Sequence, residues 1–438
     1  MIIGAPTSGA GKTTATLALL RALKNRGLKI GSAKVGPDYI DPAFHSMATG
    51  RPCLNLDSWA MRFETLAGLL HDAARGCDLL VIEGVMGLFD GAPDGSGSTA
   101  DLAALFDLPV TLVVDGQRMG ASAAALIEGF LRFREDVEVT TIIFNSVGSA
   151  THKQILHEAC DDRFSTPILG YLPREQSLNV PSRHLGLVQA KEHRDLEAFI
   201  ERAAAIAEDA LDLDRLIRLC RTPSVEALGL RAKPMAPLGQ KIAVAKDVAF
   251  GFAYQATING WHRAGAEISF FSPLGDEAPH KDSDAVFLPG GYPELHAERL
   301  AKAAKFKAGL QRQAEAGATI YGECGGYMVL GRSLTDKDGK SHAMAGLLPV
   351  ETSFAQPKRH LGYRHVELAN DCPLGRPGQQ FRGHEFHYAA ELRNEGQPLF
   401  AQQNARKHKL GPSGSVNGRV CGSFTHIIDR FTHLRLVD

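Results

Sequence analysis

Short apolar runs alternate with amphipathic stretches along the first half of the chain. Residues 1–5, 28–33, 79–82, 110–114, 140–144 and 168–171 are short, mainly apolar runs, so both faces of each ask for burial. Between them, residues 14–24 and 63–74 repeat apolar positions at helical spacing. Strand-helix alternation with doubly buried strands predicts a parallel α/β sheet. Residues 190–219 read as helical, charged and rich in Ala and Leu. Periodicity then fades over residues 221–240, which carry Pro223, Pro234 and Pro237. A second alternation occupies 242–245, 267–271, 285–288, 318–321 and 420–424. The pattern predicts two α/β domains, residues 1–220 and 239–438, joined by a linker at 221–238.

A length of 438 residues allows two or three domains, and the pattern selects two. The net charge of -1 argues against a nucleic-acid or other polyanion surface spread over the molecule, while leaving room for a local basic pocket. Seven cysteines with no CxxC pair disfavour a zinc ribbon or a disulfide framework and fit a reducing, cytoplasmic setting. The first four residues run straight into a glycine turn, which leaves no room for a signal peptide. No apolar run approaches the roughly 20 residues of a membrane helix, so no membrane association is expected. Glycine is the one excess: 45 residues, roughly 10% against a typical ~7%. These glycines sit in short turns, where backbone must approach something closely.

The first such turn is Gly4-Ala5-Pro6-Thr7-Ser8-Gly9-Ala10-Gly11-Lys12-Thr13-Thr14, between a strand and a helix. Its Gly-x-Gly-Lys-Thr ending is the working part of a P-loop, although Pro6 stands where the strict pattern has glycine. Gly9 and Gly11 let backbone N–H groups curl around phosphates. Lys12 reaches the terminal phosphates, the Thr13 hydroxyl suits Mg²⁺, and Thr14 continues the helix start. Asp38 and Asp41 lie three apart in the loop Lys34-Val35-Gly36-Pro37-Asp38-Tyr39-Ile40-Asp41-Pro42, and Glu83 closes an apolar strand where a Walker-B carboxylate belongs. Each acid taken alone is equally well a loop cap. Beside a P-loop, at the C-terminal ends of parallel strands, they are candidates for binding metal or substrate. Asn145 is followed by Ser146-Val147-Gly148 rather than a guanine-reading Lys-x-Asp, so ATP is favoured over GTP.

The second turn is Tyr321-Gly322-Glu323-Cys324-Gly325-Gly326-Tyr327. Glycines two residues either side of Cys324 permit a strained elbow that exposes the side chain, and a following helix start favours its thiolate. The Gly325 N–H, and one at Gly291 in Leu288-Pro289-Gly290-Gly291-Tyr292-Pro293-Glu294, are candidates for an oxyanion hole. His426, just after the last expected strand, is the candidate general base. The other six cysteines read as core thiols. Gly383-His384-Glu385-Phe386-His387-Tyr388 alternates as a strand does, so a zinc-binding helix is rejected; the segment either lines this site or supports it.

Together with Glu83-Gly84-Val85-Met86-Gly87-Leu88-Phe89-Asp90-Gly91, these strings resemble the cobyrinic/hydrogenobyrinic acid a,c-diamide synthases of cobalamin biosynthesis over essentially the whole chain. The resemblance implies a dethiobiotin synthetase-like ATPase domain followed by a class I glutamine amidotransferase domain. It implies a carbon-nitrogen ligase that takes ATP, Mg²⁺, L-glutamine and hydrogenobyrinic or cobyrinic acid, and amidates the a and c carboxylates through acyl phosphates. By matching position, Lys12 and Thr13 hold phosphate and Mg²⁺. Asp38, Asp41 and Glu83 serve metal and carboxylate chemistry, Tyr39 and Ile40 touch the tetrapyrrole, and Asn145 reads adenine. Cys324 is the glutaminase nucleophile and His426 its base. Class I amidotransferases usually carry Glu two residues after that histidine; Ile428 stands there, and the cobyrinate and cobyrate branch lacks that acid too, leaving the residue that orients His426 open. A homodimer is compatible with this reading. Related substrates are those of cobyric acid synthase and of the nickel-tetrapyrrole branch; the segment from Asn55 to Arg62 favours the metal-free ring. A reading from another class is a P-loop switch ATPase with a non-catalytic C-terminal binding domain.

Overall fold

The computed structural model describes residues 1–175, 182–183, 186–187, 195–222 and 235–431. The chain divides into two compact units, Met1–Trp59 with Phe63–Ala232, and Ala60–Arg62 with Lys233–Asp438. Much of the expected linker and the start of the expected 190–219 helical stretch lie outside the described residues.

The first unit is built on a seven-strand sheet: β1 (Ile2–Gly4), β2 (Ile30–Val35), β3 (Leu54–Leu56), β4 (Leu79–Glu83), β5 (Val110–Asp115), β6 (Val139–Val147) and β7 (Ile168–Pro173). Their order is β3-β2-β4-β1-β5-β6-β7, and every pairing is parallel. β1 is buried at every residue, which is why its sequence runs apolar without alternation; β2 is buried throughout as well, although it carries Ser32 and Lys34. Helices α1 (Lys12–Asn25), α2 (Asp41–Thr49), α3 (Phe63–Ala74), α4 (Thr99–Phe106), α5 (Ser122–Arg132), α6 (Ala150–Asp161), α7 (Leu196–Ala210) and α8 (Leu213–Leu219) complete it, with a two-strand pairing of β8 (Ser182–Arg183) and β9 (Gly186–Leu187). In α7, Leu196, Phe199, Ile200, Ala203, Ala204 and Ala207 are buried at the spacing of one helix face. Ser98 caps α4 by accepting from the Asp101 N–H at 3.0 Å, and the Asp101 carboxylate accepts from the Ser98 N–H at 2.9 Å.

The second unit starts as expected, with β10 (Lys241–Ala245), α9 (Gln255–Arg263), β11 (Glu267–Phe271), β12 (Ala285–Leu288), α10 (Ala297–Lys302), α11 (Ala304–Glu315), β13 (Thr319–Glu323) and α12 (Gly325–Leu330). Beyond α12 the fold departs from the sequence expectation. β14 (Ser333–Thr335), β15 (Ser341–Ala343), β16 (Val350–Ser353), β17 (His360–Leu368), β18 (Gln380–His387), β19 (Ala390–Asn394), β20 (Phe400–Asn404), β21 (Lys409–Ser413) and β22 (Ser415–Asn417) precede β23 (Val420–Ser423) and β24 (His426–Arg430). The main sheet runs β11-β10-β12-β13-β23-β22 and is parallel from β11 to β23. Its strands split their side chains between two cores. Ala243, Val286 and Ile320 enter one; Ile242, Val244, Phe287 and Tyr321 enter the other. A five-strand antiparallel sheet, β21-β20-β17-β18-β24, carries β24 at one edge. His426 therefore opens a strand rather than trailing one. No helix among the described residues is long and apolar enough to cross a membrane.

Candidate active sites

In the first unit, the site gathers at the C-terminal ends of β1, β2, β4 and β6. The loop after β1 delivers Lys12 and Thr13 as the opening residues of α1, and Gly11 caps that helix in the left-handed region at φ 89°. A Cβ on Gly11 would collide with Asn145 Nδ2, which donates to the Ala10 carbonyl at 3.1 Å. Glycine is thus needed there twice, for φ and for space. Gly9 also has positive φ (80°), with open space beside it, and Thr14 lies in the first turn of α1.

Thr13 Oγ1 donates to Glu83 Oε1 at 2.7 Å and lies 3.4 Å from Asp41 Oδ2. Lys34 Nζ donates to both acids, at 2.7 Å to Asp41 Oδ2 and 2.8 Å to Glu83 Oε1. His45 Nε2, one turn after Asp41 on α2, lies 2.6 Å from Glu83 Oε2. Asp38 divides its carboxylate. Oδ1 accepts from the Ile40 and Asp41 N–H groups at 2.8 and 3.0 Å, fixing the start of α2, while Oδ2 lies 3.8 Å from Lys34 Nζ. Asn55 Nδ2 pins the same loop through the carbonyls of Gly36 (3.0 Å) and Asp38 (2.7 Å). Between the acids, Tyr39 is half-buried and Ile40 buried. Lys12 Nζ rests on the carbonyls of Thr7 (3.2 Å) and Met86.

The electrostatics come from burial and pairing. Burial, then the Lys34 charge, pulls Lys12 down to about 8. Burial opposes charge on Lys34, yet Asp41 and Glu83 outweigh it and hold the ammonium above the usual lysine range. Burial likewise opposes an ionised Glu83, but Lys34 and His45 keep it well below the ordinary carboxylate range. Burial also opposes a charged His45; Glu83 and Cys53 reverse this and raise it to about 10. Burial and the neighbouring Asp38 push the Asp41 carboxyl up, against the pull of Lys34. The sequence alone does not single out Lys34, His45 or Asn55 for this site. Their signals are faint: a lysine at the end of a strand, an Asp-x-x-x-His step along α2, and an isolated Asn on a three-residue strand.

In the second unit, Cys324 follows β13 and caps α12 at φ 47° and ψ -104°, outside the ordinary regions for an L residue. The glycines make this possible. A Cβ on Gly322 would come within 2.8 Å of Gly326 C and Tyr327 N, and one on Gly326 would strike the Leu288 carbonyl. Two expectations need correction here. Cys324 is buried at 3% exposure, and its thiol is pushed up rather than down. Burial is the main cause and the nearby Glu294 adds to it; together they outweigh the Gly325 N–H at the helix start. A Cβ on Gly290 would collide with His426 Cε1 and lie 3.1 Å from its Nε2 and 3.3 Å from Cys324 Cβ, so both side chains share the space before that glycine. The Gly291 N lies 3.0 Å from where a Gly325 Cβ would stand, which brings the two oxyanion candidates together. His384 stacks on His426 at 5.0 Å and 7°, because β18 pairs with β24 at these two residues. Glu385 pairs with Arg364 Nη2 at 2.8 Å and accepts from Thr425 Oγ1 at 3.0 Å. In the histidine segment, His384 thus packs directly on His426, while Glu385 braces the strands behind it.

A phosphate cradle in one unit and a cysteine elbow in the other define a nucleotide-dependent amidotransferase class of chain. Residues 1–188 match the CobQ/CobB/MinD/ParA nucleotide binding domain, and residues 241–431 the CobB/CobQ-like glutamine amidotransferase domain. The hydrogenobyrinate a,c-diamide synthase of Brucella anthropi is 53% identical over 98% of both chains. Those of a Sinorhizobium species (52%, 98% of both) and Rhizobium meliloti (50%, 98% of this chain and 99% of the relative) are similar. The chain belongs to the hydrogenobyrinate a,c-diamide synthase family.

Proposed function

We propose that this enzyme amidates the a and c carboxylates of hydrogenobyrinic acid, using ATP and L-glutamine, within cobalamin biosynthesis in the cytoplasm. The observation that carries the reading is the pairing, on one chain, of a P-loop ringed by buried acids with a cysteine and histidine meeting at Gly290. The relatives' shared name favours the metal-free ring over cobyrinic acid. Residues 1–220 would form the ligase, 239–438 the glutaminase, and 221–238 the connection.

In the ligase site, the Gly9–Gly11 backbone and Lys12 receive the phosphates, Asn145 stands where adenine is read, and Tyr39 and Ile40 meet the tetrapyrrole. Lys34 and His45 offset the buried acids, so a substrate carboxylate can approach without meeting an uncompensated anion. Oxygen donors suit Mg²⁺, which takes one or two protein ligands and completes its shell with water and phosphate. Thr13 and Glu83 converge in that way, with Asp38 and Asp41 beside them. Mg²⁺ held there would neutralise phosphate charge. Lys12 and Lys34 hold positive charge beside the γ-phosphoryl group as it passes from ATP to the carboxylate, giving an acyl phosphate and releasing ADP.

In the glutaminase site, Cys324 Sγ attacks the glutamine carboxamide carbon as its proton passes to His426. The Gly291 and Gly325 N–H groups receive the oxyanion. His426 returns the proton to the departing nitrogen, releasing ammonia and leaving a glutamyl thioester that water hydrolyses. Ammonia attacks the acyl phosphate, and phosphate leaves.

Two substitutions separate the sites. Cys324→Ala is expected to abolish synthesis from glutamine and retain synthesis from free ammonia; Lys12→Ala is expected to lose both. Product mass and visible spectra with hydrogenobyrinic and cobyrinic acids offered separately check the substrate. Loss of ammonia-dependent synthesis in folded Cys324→Ala would refute the division of labour.

A further inference from the structure

The glutaminase base lacks the usual acid two residues downstream, where Ile428 is buried instead. A carboxylate nevertheless reaches its ring from another strand. Glu323 Oε2 lies 3.6 Å from His426 Nδ1, and both side chains are buried. The ring's Cε1 and its other nitrogen, Nε2, face the space before Gly290 that Cys324 Cβ also borders. The histidine thus presents one nitrogen to a carboxylate and the other to the nucleophile's side. We infer that Glu323 is the positioning residue of the glutaminase, orienting His426 from the strand that carries the nucleophile. This rests on the reading of Cys324 and His426 as nucleophile and base.

Glu323 is itself held firmly. Its Oε1 accepts from Tyr321 Oη at 2.9 Å and from the Ile427 N–H at 3.1 Å. The second bond ties the carboxylate to the residue after His426, so the acid fixes the histidine's backbone as well as facing its ring. A carboxylate beside Nδ1 favours the tautomer with the proton there, leaving Nε2 to accept the thiol proton. It also stabilises the imidazolium formed when Cys324 attacks. Around this pair stand Cys324 and Glu294 on the nucleophile side and His384, Glu385 and His387 from β18. Burial, then His426 and Arg364, holds His384 well below the usual range, and burial lowers His387 to about 4. Neither histidine is protonated near neutrality.

The test uses the full-length enzyme and follows glutamate release and amide synthesis from glutamine or ammonia. Glu323→Gln is expected to lower glutamine kcat about 10- to 100-fold with little change in KM. Synthesis from ammonia persists. Glu323→Asp restores part of the rate. Tyr321→Phe removes a bond to Glu323 but no charge, and keeps most of the glutamine rate. If Glu323→Gln keeps the wild-type glutamine kcat while His426→Ala abolishes glutamate release, the role of Glu323 is overturned and the base stands. Undiminished glutamate release in His426→Ala overturns both. Loss of ammonia-dependent synthesis in Glu323→Gln, matched in Tyr321→Phe, assigns the bonds a folding role and overturns the inference.

Discussion

Single residues act here mainly by the space they leave. Gly326 has no room for a side chain, since a Cβ would strike the Leu288 carbonyl just before the Pro289-Gly290-Gly291 turn. Gly326→Ala is expected to push the elbow away from that turn. Glutamine-dependent turnover should fall about 10²–10³-fold through a misplaced oxyanion hole, and stability by about 1–3 kcal/mol; kinetics and a denaturant titration check the two parts. Residues of this kind are legible in the sequence, because short glycine-flanked motifs carry their own geometry. Cys324, Lys12 and Thr13 stand out for that reason. Lys34, His45 and Glu323 do not, since each acquires its partner only through the fold. Strand alternation puts Cys324 and its predecessor on opposite sides, so nothing local links Glu323 to the base. Local geometry also misleads: a helix start argues for a thiolate, and burial beside Glu294 decides otherwise.

Elements divide in the same way. The parallel strands are readable because burial on both faces leaves an unbroken apolar run, as in β12. β3 escapes the pattern, being three residues long with the polar Asn55 at its centre. The antiparallel strands between β14 and β22 escape it because many are half-exposed; β21 is exposed at its first four residues and shows no apolar face. Helix α4 gives a clean test of a terminus. Ser98→Ala should cost about 1 kcal/mol, read from a denaturant titration. Asp101 completes the cap; burial opposes its charge, but bonds from Arg134 and Ser98 lower its pKa. A lowered folded value means the contribution is present above the unfolded pKa of about 3.9 and is lost as pH falls through the folded one. The stability gap between the natural enzyme and Asp101→Asn should therefore be steady near neutrality and close below about pH 4.

At the scale of the molecule, each unit has its own sheet and its own buried cores. The two separate alternations along the chain announce this division. Nucleotide should stabilise the unit that carries the P-loop. At a hundred times Kd, the increment is about 2.7 kcal/mol, visible by calorimetry with Mg²⁺ present. Cys324→Ala should keep that increment and Lys12→Ala should lose most of it; an undiminished increment in Lys12→Ala would place the nucleotide elsewhere. The buried, protonated state of Cys324 has a further consequence for the idle enzyme. Peroxides and electrophiles attack thiolates, so if Cys324 is the nucleophile proposed above, its buried, neutral sulfur is spared their damage between turnovers.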